Sequence, residues 1–396
     1  MEKLFLGCFL SPTIEEQYVK DNKNQYVISA TTFQRAMLSS INLFSDISII
    51  NAPDIGSWPY RSNWLRFRKR TEVIDGVKCR HVSFFNITYL KQICIYKSLF
   101  REIREWVTRN KTEKLIIVYS LLYPYLKAAI DIKRKYPGTK ICCIVLDLPE
   151  FFNDKKTMLS KFFDKTNEIY NLTKEIDSFV LLTKQMADVL KTNNRPYMIL
   201  EGIYQNRYVP KQNKCPKSIL YTGKLDARFG LKELVKAFMD INDKDAQLWI
   251  CGTGIDKEYV IESTLKDSRI KYYGLVRQNI VFKMQKQASI LVNPRRPEGE
   301  YTKYSFPSKT MEYLASGTTT VMYHLPGLPD EYLPFIKIID ADSESGLKDI
   351  LISLLSTSSV ELNEFGANAR NFILNNKTSE IQMNRLNQFI EKNYEK

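Results

Sequence analysis

The sequence predicts an α/β fold with two domains, each built around a parallel sheet. The chain has 396 residues, which is more than one hydrophobic core usually supports. Short apolar runs rich in β-branched residues alternate with amphipathic stretches of helical spacing, a pattern typical of parallel strands joined by crossover helices. A polar, proline-flanked passage at residues 201–216 interrupts this alternation, which then starts again. We interpret that passage as the linker between the domains.

The first half of the chain supplies the elements of the first predicted domain. Each strand candidate is a short, strongly apolar run, and each helix candidate has apolar residues three or four positions apart. The strand candidates are residues 4–10, 47–51, 115–120, 141–148, 178–183 and 196–200. The helix candidates are residues 31–40, 89–110, 124–135 and 154–171.

The same rhythm continues in the second half of the chain. The strand candidates are residues 218–223, 246–252, 270–274, 288–293, 319–324 and 335–340. One helix begins near Leu231, and another is stopped by Gly317. Residues 360–396 have the spacing of two polar, amphipathic helices.

The composition is typical of a globular protein in a reducing compartment. Apolar residues make up 44% of the chain, and the longest apolar stretch, residues 115–126, is too short to span a bilayer. The seven cysteines form no C-x-x-C pair and most lie in apolar runs, so we interpret them as buried thiols. The first twelve residues have no small-x-small cleavage pattern and are interpreted as a buried first strand, not a signal peptide. We therefore predict a cytoplasmic protein.

The positive charge is concentrated in the first half of the chain. Residues 1–200 carry 31 Lys and Arg against 20 Asp and Glu, whereas the remainder carries 27 against 24, within a net charge of +14. The densest segment, Arg61–Arg70, alternates five cations with Trp64, Leu65 and Phe67. A basic surface with interfacial aromatic residues fits an anionic membrane, and a solvated face around a core helix is the open alternative. No nucleic-acid recognition motif accompanies the charge, so we favour membrane contact.

The most informative stretch is NPRRPEGEYTKYSFPSKTMEYLASG, residues 293–317. A strand, a polar loop and a helix N-terminus follow one another here, and free N–H groups at such a helix tip bind anions. The tip contains two candidate caps, a proline suited to the first turn and a cation, namely Ser305, Ser308, Pro307 and Lys309. The carboxylate of Glu312 can accept hydrogen bonds from a diol such as a ribose. A nucleotide-sugar site is one interpretation, and an ordinary crossover helix with surface charges is the other.

Resemblance favours the nucleotide-sugar interpretation. The stretch resembles the donor-site signature of the retaining glycosyltransferases of family 4, in which a Glu-x7-Glu pattern flanks a turn and the second Glu contacts the donor ribose. Glu312 matches the second Glu, whereas the first position is occupied by Tyr304. The segment from Phe306 to Gly317 resembles a bacterial capsule and exopolysaccharide branch of that family.

The resemblance implies the GT-B fold, with two Rossmann-like domains facing across a cleft. On this basis we expect an acceptor-binding domain at residues 1–204 and a nucleotide-sugar-binding domain at residues 205–378. The terminal helix, residues 379–396, would cross back to pack on the first domain. The reaction would retain the donor's anomeric configuration.

The first turn of the second domain is the next candidate part of the donor site. Gly223 ends a strand, and relatives place a basic residue after this glycine and a lysine just before the next one, both on the diphosphate. Lys224 matches the first position, whereas the second is Phe229, so we assign the second contact to Arg228. Gly252 and Gly254 end the next strand and would allow close backbone approach. The donor-site candidates are Gly223, Lys224, Arg228, Gly252, Gly254, Tyr304, Ser305, Phe306, Pro307, Ser308, Lys309 and Glu312.

The first domain offers one candidate for catalysis. Relatives often have a His-Asp pair at a strand end facing the acceptor, and here Leu146 replaces the histidine while Asp147 remains, with Glu150 nearby. Asp147 would orient an acceptor hydroxyl or stabilise positive charge at the anomeric carbon, and a turn-forming Asp before proline is the alternative. With Asp147, we assign Lys224 and Lys309 to catalysis, through the charge of the leaving diphosphate. The Asp340–Asp342 pair is interpreted as a turn, and no metal or other cofactor is expected.

These observations predict a glycosyltransferase that uses a nucleotide-diphosphate sugar. The acceptor would be a lipid-linked saccharide at the inner face of the plasma membrane, during surface-polysaccharide synthesis. The alternative is a non-catalytic nucleotide-sugar-binding subunit that anchors or activates a partner transferase. The donor sugar, the base, the linkage and the oligomeric state are not encoded in recognisable motifs.

Overall fold

The computed structural model describes residues 1–22, 29–151, 164–307 and 309–395, with no side-chain description for residues 29 and 30. The chain divides into two compact units. Unit 1 comprises Met1–Ile203 together with Ser379–Lys396, and unit 2 comprises Tyr204–Thr378. Among the described residues, no helix is both long and apolar enough to cross a membrane.

Unit 1 is built on a mostly parallel sheet whose central strands are buried on both faces. The strand order is β10-β9-β8-β7-β1-β2-β5-β4, and only the β4–β5 pair is antiparallel. The strands are β1 (Glu2–Gly7), β2 (Ile47–Asn51), β4 (Arg70–Ile74), β5 (Val77–His81), β7 (Lys114–Tyr119), β8 (Thr139–Val145), β9 (Ser178–Leu181) and β10 (Tyr197–Ile199). A separate antiparallel pair joins β3 (Arg66–Phe67) and β6 (Phe84–Phe85).

The helices of unit 1 cover the sheet with their apolar stripes. They are α1 (Pro12–Asp21), α2 (Ser29–Leu38), α3 (Lys91–Val107), α4 (Tyr123–Lys135), α5 (Thr166–Thr173), α6 (Met186–Val189) and the terminal α13 (Ser379–Tyr394). In α3, Leu99, Ile103, Trp106 and Val107 recur at helical spacing and are buried. Most of the helix predicted from residue 154 lies outside the described residues; α5 covers its end and runs two residues further.

The β4–β5 hairpin was not predicted from the sequence. Its two strands are joined at Asp75 and Gly76, whose φ angles are 46° and 79°. Positive φ at both turn positions matches the right-handed twist of a hairpin and favours Asp-Gly. The segment Arg61–Arg70, predicted as a basic surface, contributes β3 and the first residue of this hairpin, and its Phe67 is buried.

Unit 2 is a fully parallel sheet with the order β13-β12-β11-β14-β15-β16. The strands are β11 (Ser218–Lys224), β12 (Gln247–Thr253), β13 (Ile270–Gly274), β14 (Ile290–Asn293), β15 (Thr319–Tyr323) and β16 (Lys337–Ile339). The order reverses direction between β11 and β14, because the chain continues from β11 to one side and from β14 to the other. In open α/β sheets, ligands bind beyond the carboxyl ends of the strands at such a point.

The helices of unit 2 pack on both faces of this sheet. They are α7 (Leu231–Met239), α8 (Lys257–Lys266), α9 (Gln278–Gln287), α10 (Lys309–Ser316), α11 (Gly346–Ser356) and α12 (Ser359–Asn376). In α7, Leu231, Leu234, Val235 and Phe238 are buried in the core of the unit. Gly317 has φ +77° and ends α10 as predicted, since glycine adopts the left-handed conformation that terminates a helix.

Candidate functional site at the second sheet

The candidate site is formed by the loops that follow β11 and β14, together with the start of α10. Both loops leave the carboxyl edge of the sheet at the point where the strand order reverses. Gly230, in the first loop, lies so close to the second loop that a Cβ atom would be 1.9 Å from the carbonyl oxygen of Pro294. The two loops are therefore packed directly on one another.

Lys309 lies against the end of β11. Its Nζ donates a hydrogen bond to the carbonyl oxygen of Thr222, and a Cβ atom on Gly223 would be 3.3 Å from this ammonium group. The hydroxyl of Tyr313, one turn further along α10, accepts from the Thr222 N–H at 3.0 Å. These contacts fix the first turns of α10 to β11, so the predicted residues Gly223 and Lys309 are brought together.

The electrostatics of Lys309 and Glu312 indicate two incompletely compensated charges. Burial lowers the pKa of Lys309, although the charge of Glu312 opposes the shift. Burial also raises the pKa of Glu312, and the charges of Lys309 and Arg207 and the nearby Gln285 side chain oppose this shift. Both shifts favour the neutral form, so the surrounding protein does not fully stabilise either charge. Perturbed pairs of this kind occur preferentially at functional sites.

Arg207 and Gln285 were not identified from the sequence. Arg207 lies within the predicted linker and at the start of the predicted second domain, and the structure places it in unit 2 beside Glu312. Gln285 lies near the end of α9, in a stretch with no recognisable motif. Both reach Glu312 through tertiary packing, which local sequence patterns do not encode.

Lys224 and Arg228 have different environments in the first loop. Lys224 is exposed at the end of β11, and its carbonyl oxygen accepts from the Tyr221 hydroxyl at 2.8 Å. Arg228 donates through Nε and Nη2 to the carboxylate of Asp226, at 3.1 Å and 2.7 Å. The Arg228 guanidinium in turn holds the pKa of the Asp226 carboxyl below its ordinary value. The charge predicted to contact a diphosphate is thus paired within its own loop.

Gly252 and Gly254 make room for the neighbouring loop. A Cβ atom on Gly252 would lie 1.7 Å from the carbonyl oxygen of Gly223, and one on Gly254 would lie 2.1 Å from that of Leu225. Gly252 also has φ +141°, a conformation that other residues rarely adopt. The close backbone approach that these glycines permit in the structure is between the ends of β11 and β12, within the protein itself. Their role in binding a donor stays a prediction.

The segment before α10 contains the remaining donor-site candidates. Tyr304 ends a short 3-10 helix, and the Ser305 hydroxyl accepts from Arg295 Nη2 at 3.2 Å. Because α10 begins at Lys309, Ser305 lies too far before the helix to be its N-cap. Phe306 is buried and packs on the Tyr332 ring, with centroids 5.4 Å apart. The Pro307 carbonyl oxygen accepts from the Thr310 N–H at 2.8 Å. Ser308, predicted as a cap, lies outside the described residues.

The acidic candidates of unit 1 lie beyond the end of β8. Asp147 is exposed, and the protein around its carboxyl raises its pKa by partial desolvation. Glu150 accepts a hydrogen bond from the Tyr170 hydroxyl at 2.7 Å. In unit 2, the Asp340 side chain accepts from the Asp342 N–H at 3.0 Å, the turn expected for that pair.

In the described part of unit 1, three side chains place possible metal-ligand atoms close together, namely Glu72, Cys79 and His81. His81 Nε2 lies 2.6 Å from Glu72, and Nδ1 lies 2.9 Å from the Asn51 Nδ2. The Asn51 amide is oriented by Phe9, which donates its N–H to Oδ1 and accepts from Nδ2. His81 Nδ1 must therefore be an acceptor, which places the ring proton on Nε2, where a metal would have to bind. Burial lowers the pKa of His81, in agreement with a neutral ring that links β5 to the loop after β1.

Comparison with known proteins agrees with this architecture. Residues 216–356 match the family model of the glycosyl transferases group 1. The match lies within unit 2 and includes both loops and α10. This family match indicates a glycosyltransferase. No curated protein matches the chain.

Solved structures resemble the whole chain at low identity. Sucrose-phosphate synthase from Thermosynechococcus elongatus has a TM-score of 0.66 at 12% identity, with 99% of each chain covered. HepE from Anabaena, in complex with UDP, has a TM-score of 0.61 at 11% identity, covering 99% of this chain and all of that one. The lipopolysaccharide outer core galactosyltransferase WaaB has a TM-score of 0.62 at 13% identity, with 99% of each chain covered. These likenesses confirm the predicted GT-B fold of two Rossmann-like units.

Proposed function

We propose that the protein is a retaining glycosyltransferase that moves a sugar from a nucleotide-diphosphate sugar to a saccharide acceptor. The observation that carries this proposal is the pair Lys309 and Glu312, at the start of α10. Both are largely desolvated, and the pKa of each is displaced toward its neutral form. A ligand that brings phosphate oxygens to the ammonium and hydroxyl donors to the carboxylate would stabilise both charges. A nucleotide-diphosphate sugar carries both kinds of group.

The chain's own residues would stabilise the leaving diphosphate. Lys224 and Lys309 would supply positive charge, and the amide groups around Ser305 would donate hydrogen bonds to phosphate oxygens. Glu312 would accept from the ribose hydroxyls, and Asp147 would orient the acceptor hydroxyl. We propose that no metal is required, because these cations supply the charge. Retention of configuration follows from the resemblance to family 4.

A nucleotide-release assay with purified protein tests the proposal. The protein would be incubated with sugar conjugates of UDP, GDP, ADP and CDP, with and without a lipid extract as acceptor. We expect release of one nucleoside diphosphate, stimulated by the extract. Binding without turnover for every donor and acceptor would favour a non-catalytic subunit that serves a partner transferase. Failure to bind any of the nucleotides would contradict both functions.

We further propose that the acceptor is lipid-linked and that unit 1 docks on the anionic inner face of the plasma membrane. The support is a surface region in which β6 and the start of α3 gather exposed apolar side chains, which we call the apolar patch. Phe85 pairs with Arg66 across the small sheet, Asn86 bonds to Leu65, and Trp58 forms a bridge with Ile87. The patch consists of Trp58, Leu65, Phe85, Tyr89, Leu90 and Ile93, each at least 38% exposed.

Positive charge borders the apolar patch. The Arg66 guanidinium lies 5.2 Å from the centre of the Phe85 ring, and Arg68 is exposed beside it. Cations next to exposed aromatic rings favour binding to an anionic interface, by about 1 kcal/mol for each cation. WaaB is described as a lipopolysaccharide transferase, which is compatible with an acceptor used in surface-polysaccharide synthesis.

Vesicle sedimentation separates membrane docking from simple charge attraction. Replacing Arg66 and Arg68 with Gln should reduce binding to anionic vesicles, and replacing Leu65 and Phe85 with Ser should reduce it at high salt as well. Arg70 is left intact because it stacks on the buried Phe67 and contributes to packing. Undiminished sedimentation of both double variants would contradict docking through this patch.

A further inference from the structure

Arg295 has the least compensated guanidinium group described at the candidate site. It follows β14 by two residues, and its carbon ζ lies 4.6 Å from the centre of the Tyr301 ring and 5.9 Å from that of Phe229. One hydrogen bond is described for it, from Nη2 to the Ser305 hydroxyl at 3.2 Å. Its Nε is buried and has no partner among the described residues. A guanidinium group has five N–H donors, so most of its capacity is unused.

The neighbouring arginines are in a different state. Arg228 is held by Asp226 through two nitrogens, and Arg296 is held by Glu233 through Nε and Nη2, at 2.8 Å and 3.0 Å. Within the described part of the chain, no carboxylate forms an ion pair with Arg295. A buried, unpaired N–H group is costly unless a ligand satisfies it. Arg295 therefore has both the charge and the free donors that an anion requires.

Phe229 explains why this arginine suits a phosphate site. The glycosyltransferases that the chain resembles carry a lysine at this loop position, whereas here a neutral ring packs beside Arg295. An ammonium group at this position would repel the guanidinium, and the aromatic ring stabilises it instead. The contact with Ser305 joins Arg295 to the segment before α10. The cation is thus placed between the two loops of the site.

We propose that Arg295 binds the diphosphate of the nucleotide donor and replaces the first-loop lysine that this chain lacks. This inference rests on the proposed function. It assigns the second diphosphate contact to Arg295 in place of Arg228. Two N–H groups of a guanidinium can contact phosphate oxygens together, a geometry that an ammonium group cannot reproduce.

Binding of UDP and of uridine to the full chain tests the assignment. Arg295→Gln should raise the Kd for UDP about 10- to 100-fold, the usual effect of losing a charge-assisted contact. The effect on uridine, which has no phosphate, should be less than about twofold. Arg295→Lys should give an intermediate Kd, because it keeps the charge and loses the paired geometry. Lys244→Gln, which removes an exposed charge from the same unit, serves as the charge-matched control.

The possible outcomes are separable. Equal weakening of UDP and uridine by Arg295→Gln would mean that the residue only supports the loops, and would overturn the proposal. An unchanged Kd for UDP would overturn it as well, while leaving the proposed transferase intact. If the wild-type protein binds none of UDP, GDP, ADP and CDP, the proposed function itself fails. If Arg295→Gln does not fold, Arg295→Met, which keeps an apolar stem beside Tyr301, replaces it in the same comparison.

Discussion

Substitution of Gly252 by alanine should destabilise unit 2 through contact between two strands. Gly252 lies in β12, and its neighbour across the sheet is Gly223 in β11. A Cβ atom would be placed 1.7 Å from the Gly223 carbonyl oxygen, whereas real Cβ contacts are essentially never closer than 3.0 Å. The carbonyl belongs to the backbone, so no flexible side chain can move aside. The two strand ends would have to separate by more than 1 Å.

The size of the effect follows from two contributions. A residue other than glycine at φ +141° costs about 1–3 kcal/mol in backbone strain. Forcing a methyl group into a closely packed site costs about 1–3 kcal/mol more. The sum of about 2–6 kcal/mol is a large part of the stability of a typical domain, about 5–15 kcal/mol. We therefore expect a clear drop in the free energy of unfolding of unit 2.

Two other glycines separate these contributions. Gly274 has φ +69°, and a Cβ atom added there would meet nothing within 4 Å, so Gly274→Ala should cost only the backbone strain, about 1–2 kcal/mol. Gly138 has open space and no positive φ, so Gly138→Ala should be neutral or slightly stabilising. Urea unfolding followed by hydrogen exchange of peptides from β11 and β12 would report the stability of unit 2 separately from unit 1.

Two results would refute this reasoning. If Gly252→Ala and Gly274→Ala lose the same stability, the close approach of β11 and β12 is not a real constraint. If Gly252→Ala keeps normal stability but loses nucleotide binding, the missing side chain serves the ligand and not the neighbouring strand. The same comparison therefore decides whether the glycines of this edge make room for a donor or for the sheet itself.

Three further predictions concern the titratable side chains Glu312, Lys309 and His81. Because the pKa of Glu312 is raised on folding, the folded state binds this proton more tightly, and the ionised carboxylate destabilises the free protein as pH rises. Glu312→Gln should therefore increase the free energy of unfolding at about pH 8 more than at about pH 4. The same substitution should abolish most of the thermal stabilisation by UDP. A lower free energy of unfolding at pH 8 would contradict the raised pKa of Glu312. Lys309→Ala should lower kcat by about 100-fold or more and change donor Kd much less, and an equal change in both would rule out stabilisation of the leaving group. Nitrogen NMR of His81 should show a neutral ring protonated at Nε2, unchanged by added Zn²⁺, and a zinc-dependent shift would contradict the assigned hydrogen bonds.

The elements of the second sheet were predicted well because their signals are local. Apolar runs such as residues 218–223 and 319–324 are bounded by turns, and the observed β11 and β15 agree with them within a residue. The hairpin of β4 and β5 was missed, although Asp75 and Gly76 carry a strong turn signal. The segment before it is dense in positive charge, and this charge masks the alternation of side chains that indicates a strand.

The donor site was predicted only in outline. The convergence of Gly223 and Lys309 followed from the expected strand ends and is present in the structure. The pairing of Arg228 with Asp226 was not foreseen, although the two residues are only two positions apart. The importance of Arg295 was not foreseen either, although Arg295 lies only two residues after the end of a predicted strand, residues 288–293. The roles of the donor-site candidates stay predictions until binding is measured.

The sequence alone determined the alternation of strands and helices, the parallel strands of both sheets and the helix tip at Lys309. Hydrophobic periodicity, glycine and proline act over a few residues, so they can be interpreted without knowledge of the fold. The tertiary structure decided which charges are paired and which are left for a ligand. Long side chains such as Arg228 and Arg295 reach partners beyond their immediate neighbours, and their direction depends on packing between loops that are distant in sequence. That packing only exists once β11 and β14 lie side by side.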